Sequence, residues 1–187
     1  VLPWRTRSLA MKKERYCVYN PFTKLVMSYR NPKRPLHNPL TRVSGVSVRR
    51  YMLDQPALLA DVEQTHILYV VGHCSPGSSQ ISSGGEDDES IDADELARRI
   101  RANGLPLDRL KMKLWACNAG RGTLFHRAFA RKLIRSLRKV GYSQIAVDAY
   151  TLTLGKRQSF DDGLWHNRAY GKQGEQVRAS AHRRTFR

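Results

Sequence analysis

An α/β fold built on a central, mostly parallel sheet follows from three features of this chain. Two short apolar runs, Ile67-Leu68-Tyr69-Val70-Val71-Gly72-His73 and Lys113-Leu114-Trp115-Ala116-Cys117-Asn118-Ala119-Gly120, lack helical periodicity and are closed by glycine, the form of buried strands. A helical pattern, Asp92 to Asn103, lies between them. Strand, helix, strand predicts a βαβ crossover, which makes the strands parallel and brings their carboxyl ends to one edge of the sheet. His73 and Cys117 then face each other there.

The other elements follow in order. Residues 1–14 are basic and unpatterned and read as a flexible arm. Tyr16–Tyr19 and Leu25–Tyr29 predict a hairpin around Asn20-Pro21-Phe22-Thr23. Asn31–Pro39, with three prolines, reads as a loop, and Val43–Tyr51 as an ambiguous strand. Asp54-Gln55-Pro56 can open a short helix through Leu58, Leu59 and Val62. Ser75–Glu89 is rich in Ser, Gly and acid; such composition suits either a substrate-contacting loop or a disordered one.

Helix Asp92–Asn103 has an Asp or Ser cap, Leu96 and Ile100 as its core stripe and Gly104 as its stop. A second helix is expected over Thr123–Val140, with Phe125, Phe129, Leu133 and Leu137 on one face, basic residues on the other and Gly141 beyond. Ile145–Ala149 reads as a strand, and a Gly-containing hairpin leads to Trp165. Residues 15–172 thus form one domain and 173–187 a basic tail, within the size a single core supports.

A thiol attacks as the thiolate, so Cys117 needs a base, and His73 at the neighbouring strand end can serve. The bland alternative makes Cys117 a buried core cysteine and His73 an ordinary strand-end residue. Their joint placement favours the dyad. His126 is the rival base, though its spacing to Phe129 suits a structural role, and no His/Cys cluster has metal-ligand spacing.

The formal net charge is +17, and seven of the sixteen acidic residues fall within Glu86–Glu95. The rest of the chain is therefore strongly basic, which implies a polyanionic partner: nucleic acid, an anionic membrane surface or a polyphosphate. Lysines and arginines come in pairs such as Lys33-Arg34, Arg49-Arg50 and Lys156-Arg157, without the interleaved aromatics of a single-strand binding platform. No run approaches the length of a membrane span. Three cysteines without metal spacing make no disulfide framework and suit a reducing compartment.

The order apolar strand, Gly72-His73, acid-rich helix, apolar strand, Ala116-Cys117-x-x-Gly120 resembles the clan CD, caspase-like cysteine peptidases. Within that clan, Leu68–His73, Asp92–Ala97 and Leu114–Cys117 look most like the self-cleaving cysteine protease domain of MARTX and large clostridial toxins. The resemblance covers roughly residues 60–170 and implies a caspase-like three-layer sandwich, with helices on both faces of the sheet and a C-terminal β-hairpin flap. It implies Cys117 as nucleophile, His73 as base, and the backbone N–H groups of Cys74 and Cys117 as oxyanion hole. Trp115, Asn118 and Asp148 are expected at the substrate pocket.

The same resemblance makes inositol hexakisphosphate an allosteric activator bound by basic residues; Lys156 and Arg157 stand where the flap should begin, and Lys33, Arg34, Arg49 and Arg50 are the other expected contributors. No metal is implied. The substrate would be a polypeptide, including the chain's own flank, and the setting a bacterial effector delivered into a reducing host cytosol, with the bacterial cytoplasm as alternative. Two departures stand out: Cys74 occupies a position that is usually glycine, and Trp115 stands where relatives that cleave after basic residues carry Asp. The competing function is a catalytically silent caspase-like module that binds nucleic acid or anionic phospholipid.

Overall fold

The computed structural model of the chain describes residues 15–23, 25–30, 49–51, 57–62, 64, 66–84, 88–109, 111–159 and 165–187. Four parallel strands form the centre of a seven-stranded sheet: β1 (Arg15–Asn20), β4 (Ile67–Val71), β7 (Lys111–Trp115) and β8 (Ala146–Tyr150). β2 (Leu25–Arg30) pairs antiparallel with β1, and β3 (Arg49–Tyr51) antiparallel with β2. The fourth side is closed by β12 (Arg183–Phe186), antiparallel to β8. Five of the seven strands run one way, in the order β12-β8-β7-β4-β1-β2-β3.

Strand register sorts the side chains into two faces. Cys17, Leu68, Met112 and Val147 lie in one row of partners, and Tyr19, Val70, Leu114 and Ala149 in the next. All eight are buried in the main core. Helices α1 (Ala93–Ala102) and α2 (Phe129–Lys139) cover this face with Leu96 and Ile100, and with Phe129, Leu133 and Leu137. The helices touch each other, Lys139 Nζ lying 3.4 Å from Asp94 Oδ1. Truncating Leu133 to alanine would cost about 2–5 kcal/mol, because the sheet below cannot collapse into the space.

The opposite face carries no helix of its own among the described residues. It is covered by a three-stranded sheet of β9 (Thr153–Ser159), β10 (Trp165–Tyr170) and β11 (Gln176–Arg178), followed by a 3-10 turn at Ala179–His182. Trp115, Tyr150, Ala169 and Ala179 form a second, smaller apolar cluster there. Among the described residues both α-helices thus lie on one face and β-structure on the other, where helices were expected on both; the β9–β11 sheet takes the place of a second helical layer.

Several expectations need correction. Residues 57–61 form turns, not a helix; Ala57 is left-handed, with φ of 64°, and breaks the repeat while Leu58, Leu59 and Val62 stay buried. The second helix starts at Phe129, six residues later than its pattern suggested, because Thr123 to His126 closes a turn of its own. Phe125 is consequently outside the core. The polar loop contains a two-stranded ribbon, β5 (Gln80–Ser82) with β6 (Ser90–Asp92). Residues 173–187, read as a tail, supply β11, the 3-10 turn and β12. Residues 1–14, Lys33 and Arg34 lie outside the described residues. No helix among the described residues is long and apolar enough to cross a membrane.

Candidate active site

The crossover from β4 through α1 to β7 puts His73 and Cys117 just past the carboxyl ends of two neighbouring parallel strands. Gly72 extends the ladder by donating from its N–H to Trp115 O at 3.3 Å. His73 then bridges to the ribbon: its N–H donates to Ser82 O at 2.8 Å, and Ser82 N–H returns to His73 O at 2.9 Å. The His73 backbone is therefore held by a reciprocal pair of hydrogen bonds to the ribbon.

Cys117 begins a tight turn after β7. Asn118 is left-handed, φ 54°, and its N–H donates to Leu152 O at 3.1 Å. Gly120 presses against β8, where a Cβ would come within 2.9 Å of Ala149 O; its N–H donates to Tyr150 O at 2.8 Å. Only glycine permits that approach. Ala119 O accepts from Ala130 N–H at 3.0 Å, which joins the turn to the start of α2. The sulfur accepts a hydrogen bond from Leu154 N–H at 3.2 Å.

His73, Cys74 and Cys117 line one cavity of about 290 Å³, whose other walls are largely hydroxyl and amide side chains: Ser75, Ser78, Gln80, Ser82 and Ser90. Burial pushes the Cys74 thiol up to about 12, with the neighbouring Cys117 acting in the same direction and Lys132 opposing. Cys74 thus remains a neutral thiol at neutral pH. Its sulfur lies 3.4 Å from Ser75 O. Among the described residues, the N–H groups of Cys74 and Cys117 donate to no backbone acceptor.

The acid-rich loop adds a feature that the sequence did not single out. Gly84, with φ of 73°, lies against the imidazole so closely that a Cβ there would come within 2.2 Å of His73 Cδ2 and 2.5 Å of Nε2. Asp88 holds this glycine, accepting from Gly84 N–H at 2.9 Å and from Ser83 Oγ at 3.5 Å. The Gly84 N–H, followed by hydroxyls of Ser82 and Ser83 and the charge of His73, keeps the Asp88 carboxyl below the ordinary carboxylate range. Asp88 was one acid among seven in its segment, and nothing in its spacing separates it from the others.

The other expected site residues are placed as follows. Trp115 is packed on the second face between Tyr69 and Tyr150, with ring centroids 6.2 and 5.2 Å away, both edge-on. Asn118 is buried in the turn, its Nδ2 3.3 Å from Thr153 Oγ1. Asp148 is fully buried: Thr185 Oγ1 donates to Oδ1 at 2.6 Å, while Oδ2 has no hydrogen bond and is balanced by Lys111 Nζ and Arg183 Nε at 3.1 and 3.4 Å. None of the three lines the cavity described above, and Asp148 is a structural counter-ion tying β12 to β8.

Arg49 and Arg50 sit on β3, the edge strand opposite β12. Lys156 is exposed on β9, with Arg157 next to it in register with Asn167. The backbone does not bring the two pairs together, since β2, β1, β4 and β7 separate β3 from β8, and β9 belongs to the sheet over Trp115 and Tyr150. Among the described residues, no three of His, Cys, Asp and Glu converge as metal ligands.

No protein-family model matches this chain, and no curated protein is significantly similar to it.

Proposed function

We propose that the protein is a cysteine endopeptidase or autoprocessing protease of the caspase-like kind, with Cys117 as nucleophile and His73 as general base and acid. The observation that carries this reading is the sharing of one cavity by the two side chains, each at the end of its own parallel strand. A thiol and an imidazole in one polar cavity suit acyl transfer.

The Cys117 proton passes to His73, the thiolate adds to the peptide carbonyl, and negative charge collects on the carbonyl oxygen. The N–H groups of Cys74 and Cys117, which donate to no backbone acceptor among the described residues, are the donors proposed for that charge. Collapse of the tetrahedral intermediate expels the amine, which takes the proton from the imidazolium. Water, deprotonated by His73, then hydrolyses the thioester and frees the sulfur. The neutral hydroxyl and amide walls suit an uncharged residue at the cleaved bond, consistent with Trp115 standing in place of an acid.

A polyphosphate such as inositol hexakisphosphate fits the reading as activator, on the strength of the +17 charge and the position of Lys156 and Arg157 on the β9–β10 hairpin next to Cys117. The test is labelling by a thiol-directed peptide electrophile, with and without inositol hexakisphosphate, in the parent chain and in Cys117→Ala. Labelling of Cys117 that requires His73 supports a peptidase. Absence of labelling under both conditions, with retained polyanion binding, would instead mark a silent binding module.

A further inference from the structure

We infer that the turn Thr123–His126 and the arginines around it form a docking site for an anionic membrane surface. This does not depend on the peptidase reading. Thr123 N–H donates to His126 O at 2.8 Å and His126 N–H donates to Thr123 Oγ1 at 3.1 Å, which closes a turn with Leu124 and Phe125 at its two central positions. Leu124 is 90% and Phe125 85% exposed, while Leu107 at 44% is the other large hydrophobic exposed among the described residues. A turn held by its own hydrogen bonds that presents two adjacent apolar side chains to water is an unusual arrangement in a chain with a well-filled core.

The base of this turn is fixed. Arg121 O accepts from Gly77 N–H at 3.0 Å, and beyond His126 the chain enters the core through Ala128 and Phe129. The tip alone is free to insert. Arg121 and Arg127 flank it, and Arg131, Arg135 and Arg138 continue along one stripe of α2 at helical spacing. All five are exposed, and none forms an ion pair among the described residues; Arg131 lies over the Phe186 ring at 5.7 Å. No acidic residue occurs between Asp108 and Asp148, so nothing nearby in the sequence neutralises them.

An apolar tip bordered by arginines matches the lipid interface on both counts. The tip enters the boundary between headgroups and acyl chains, and the guanidinium groups meet the anionic headgroups. Nucleic acid would use the arginines but gives Leu124 no role, and a peptide ligand would use the apolar pair but not the arginine stripe. Lipid uses both sets. The turn adjoins the loop that carries Ser75 and Ser78, so docking would hold the cavity close to the membrane surface.

The test is co-sedimentation of the Cys117→Ala chain with phosphatidylcholine vesicles, alone or with about one-third phosphatidylserine. Binding should require the anionic lipid and weaken with salt. Leu124→Ser with Phe125→Ser should weaken it about tenfold or more. Arg121→Gln, Arg127→Gln and Arg131→Gln should each cost about fivefold. Arg98→Gln with Arg101→Gln, a loss of two charges on α1 against one in each of those variants, should have little effect. Phe125→Trp should add blue-shifted emission on anionic vesicles, a readout independent of bulk partition. The inference is overturned by equal binding to neutral vesicles, by unchanged binding of the Leu124/Phe125 double variant, or by an oligonucleotide that displaces the vesicles and binds that variant equally well. Loss of soluble-peptide cleavage by the same double change in the Cys117-containing chain, with vesicle binding intact, would make the turn a substrate contact instead.

Discussion

Leu154 donates its backbone N–H to Cys117 Sγ at 3.2 Å, so the candidate nucleophile is held by β9, a strand outside its own sheet. An amide aimed at sulfur sets the thiol's direction and offers a fixed dipole to the charge that develops when the proton leaves. Leu154→Pro removes that N–H. Peptide cleavage should fall about tenfold or more, in the range seen when one donor to a reacting centre is lost. An unchanged cleavage rate in a variant that still folds would separate β9 from the chemistry.

The two cavity thiols should differ in reactivity. Cys74 is pushed up to about 12, mainly by burial, and stays in the unreactive thiol form through mildly alkaline pH. Alkylation by iodoacetamide followed by peptide mapping should label Cys117 well before Cys74. Cys117→Ala should abolish cleavage or self-processing and Cys74→Gly should preserve it. Processing that survives Cys117→Ala and fails in Cys74→Ala would reverse the assignment.

Gly84→Ala should displace His73. A methyl group there would overlap the imidazole at 2.2 Å, and the φ of 73° adds strain of about 1 kcal/mol for a residue with a Cβ. Cleavage should drop by about tenfold or more, whereas stability should fall only by about that 1 kcal/mol, since residue 84 is exposed. Full activity in Gly84→Ala would show that the imidazole moves freely away.

Asp88→Asn should slow cleavage less severely, by about threefold to tenfold, since it loosens the glycine that packs on the base. The pH dependence has a definite sign. Hydrogen bonds from Gly84, Ser82 and Ser83 hold the Asp88 carboxyl below its ordinary value, so the clamp is complete above the ordinary carboxylate range and is lost as pH falls through the lowered folded value. The loop around Gly84 should gain proteolytic sensitivity only in that acid window, and Asp88→Asn should show the same sensitivity at neutral pH.

Alkaline pH should unfold the chain from within. Burial raises the phenols of Tyr19, Tyr142 and Tyr150 from 10.0 to about 12. The unfolded chain releases these protons near its ordinary values while the fold retains them, so stability is full below about 10 and declines between about 10 and 12. Tyr150→Phe keeps the ring against Trp115 and should reduce the slope of stability in that window. Urea titrations at neutral and high pH measure both.

Asp148→Ala should destabilise by about 2 kcal/mol, because Lys111, Arg183 and the Thr185 hydroxyl lose a shared buried partner. A cleavage defect without a stability defect would return Asp148 to the substrate pocket.

Some of this was legible in the sequence because local signals and burial coincide. β4 is an apolar run closed by glycine, β7 alternates Lys111 and Lys113 with buried Met112 and Leu114, and α1 has a capping acid whose side chain accepts from Glu95 N–H at 2.7 Å. Other parts were hidden by competition between signals. The period that joins Phe125 to Phe129 is genuine, yet the Thr123 hydroxyl ties its own turn and strips Phe125 from the helix. β5, β6 and β12 are three or four residues long, too short for a period of two to stand out. Asp88 and Leu154 act through tertiary placement alone, and Leu154 acts through its main chain, which no residue type announces.

Strand order gives the candidate site two different tempos. β4 and β7 are interior strands with hydrogen-bonded neighbours on both sides, so their amides at Leu68, Val70, Met112 and Leu114 should exchange with solvent only through near-global opening. The β5–β6 ribbon that carries Ser82 and leads to Gly84 has two strands, tied to the end of β4 through the His73–Ser82 bridge, so it should open more often than the interior strands. Deuterium uptake would therefore divide the candidate pair: the Cys117 sulfur follows one of the slowest parts of the described fold, and the His73 imidazole is fastened by one of the fastest. Cooling or a ligand that quiets the ribbon would act on His73 while leaving Cys117 as it was.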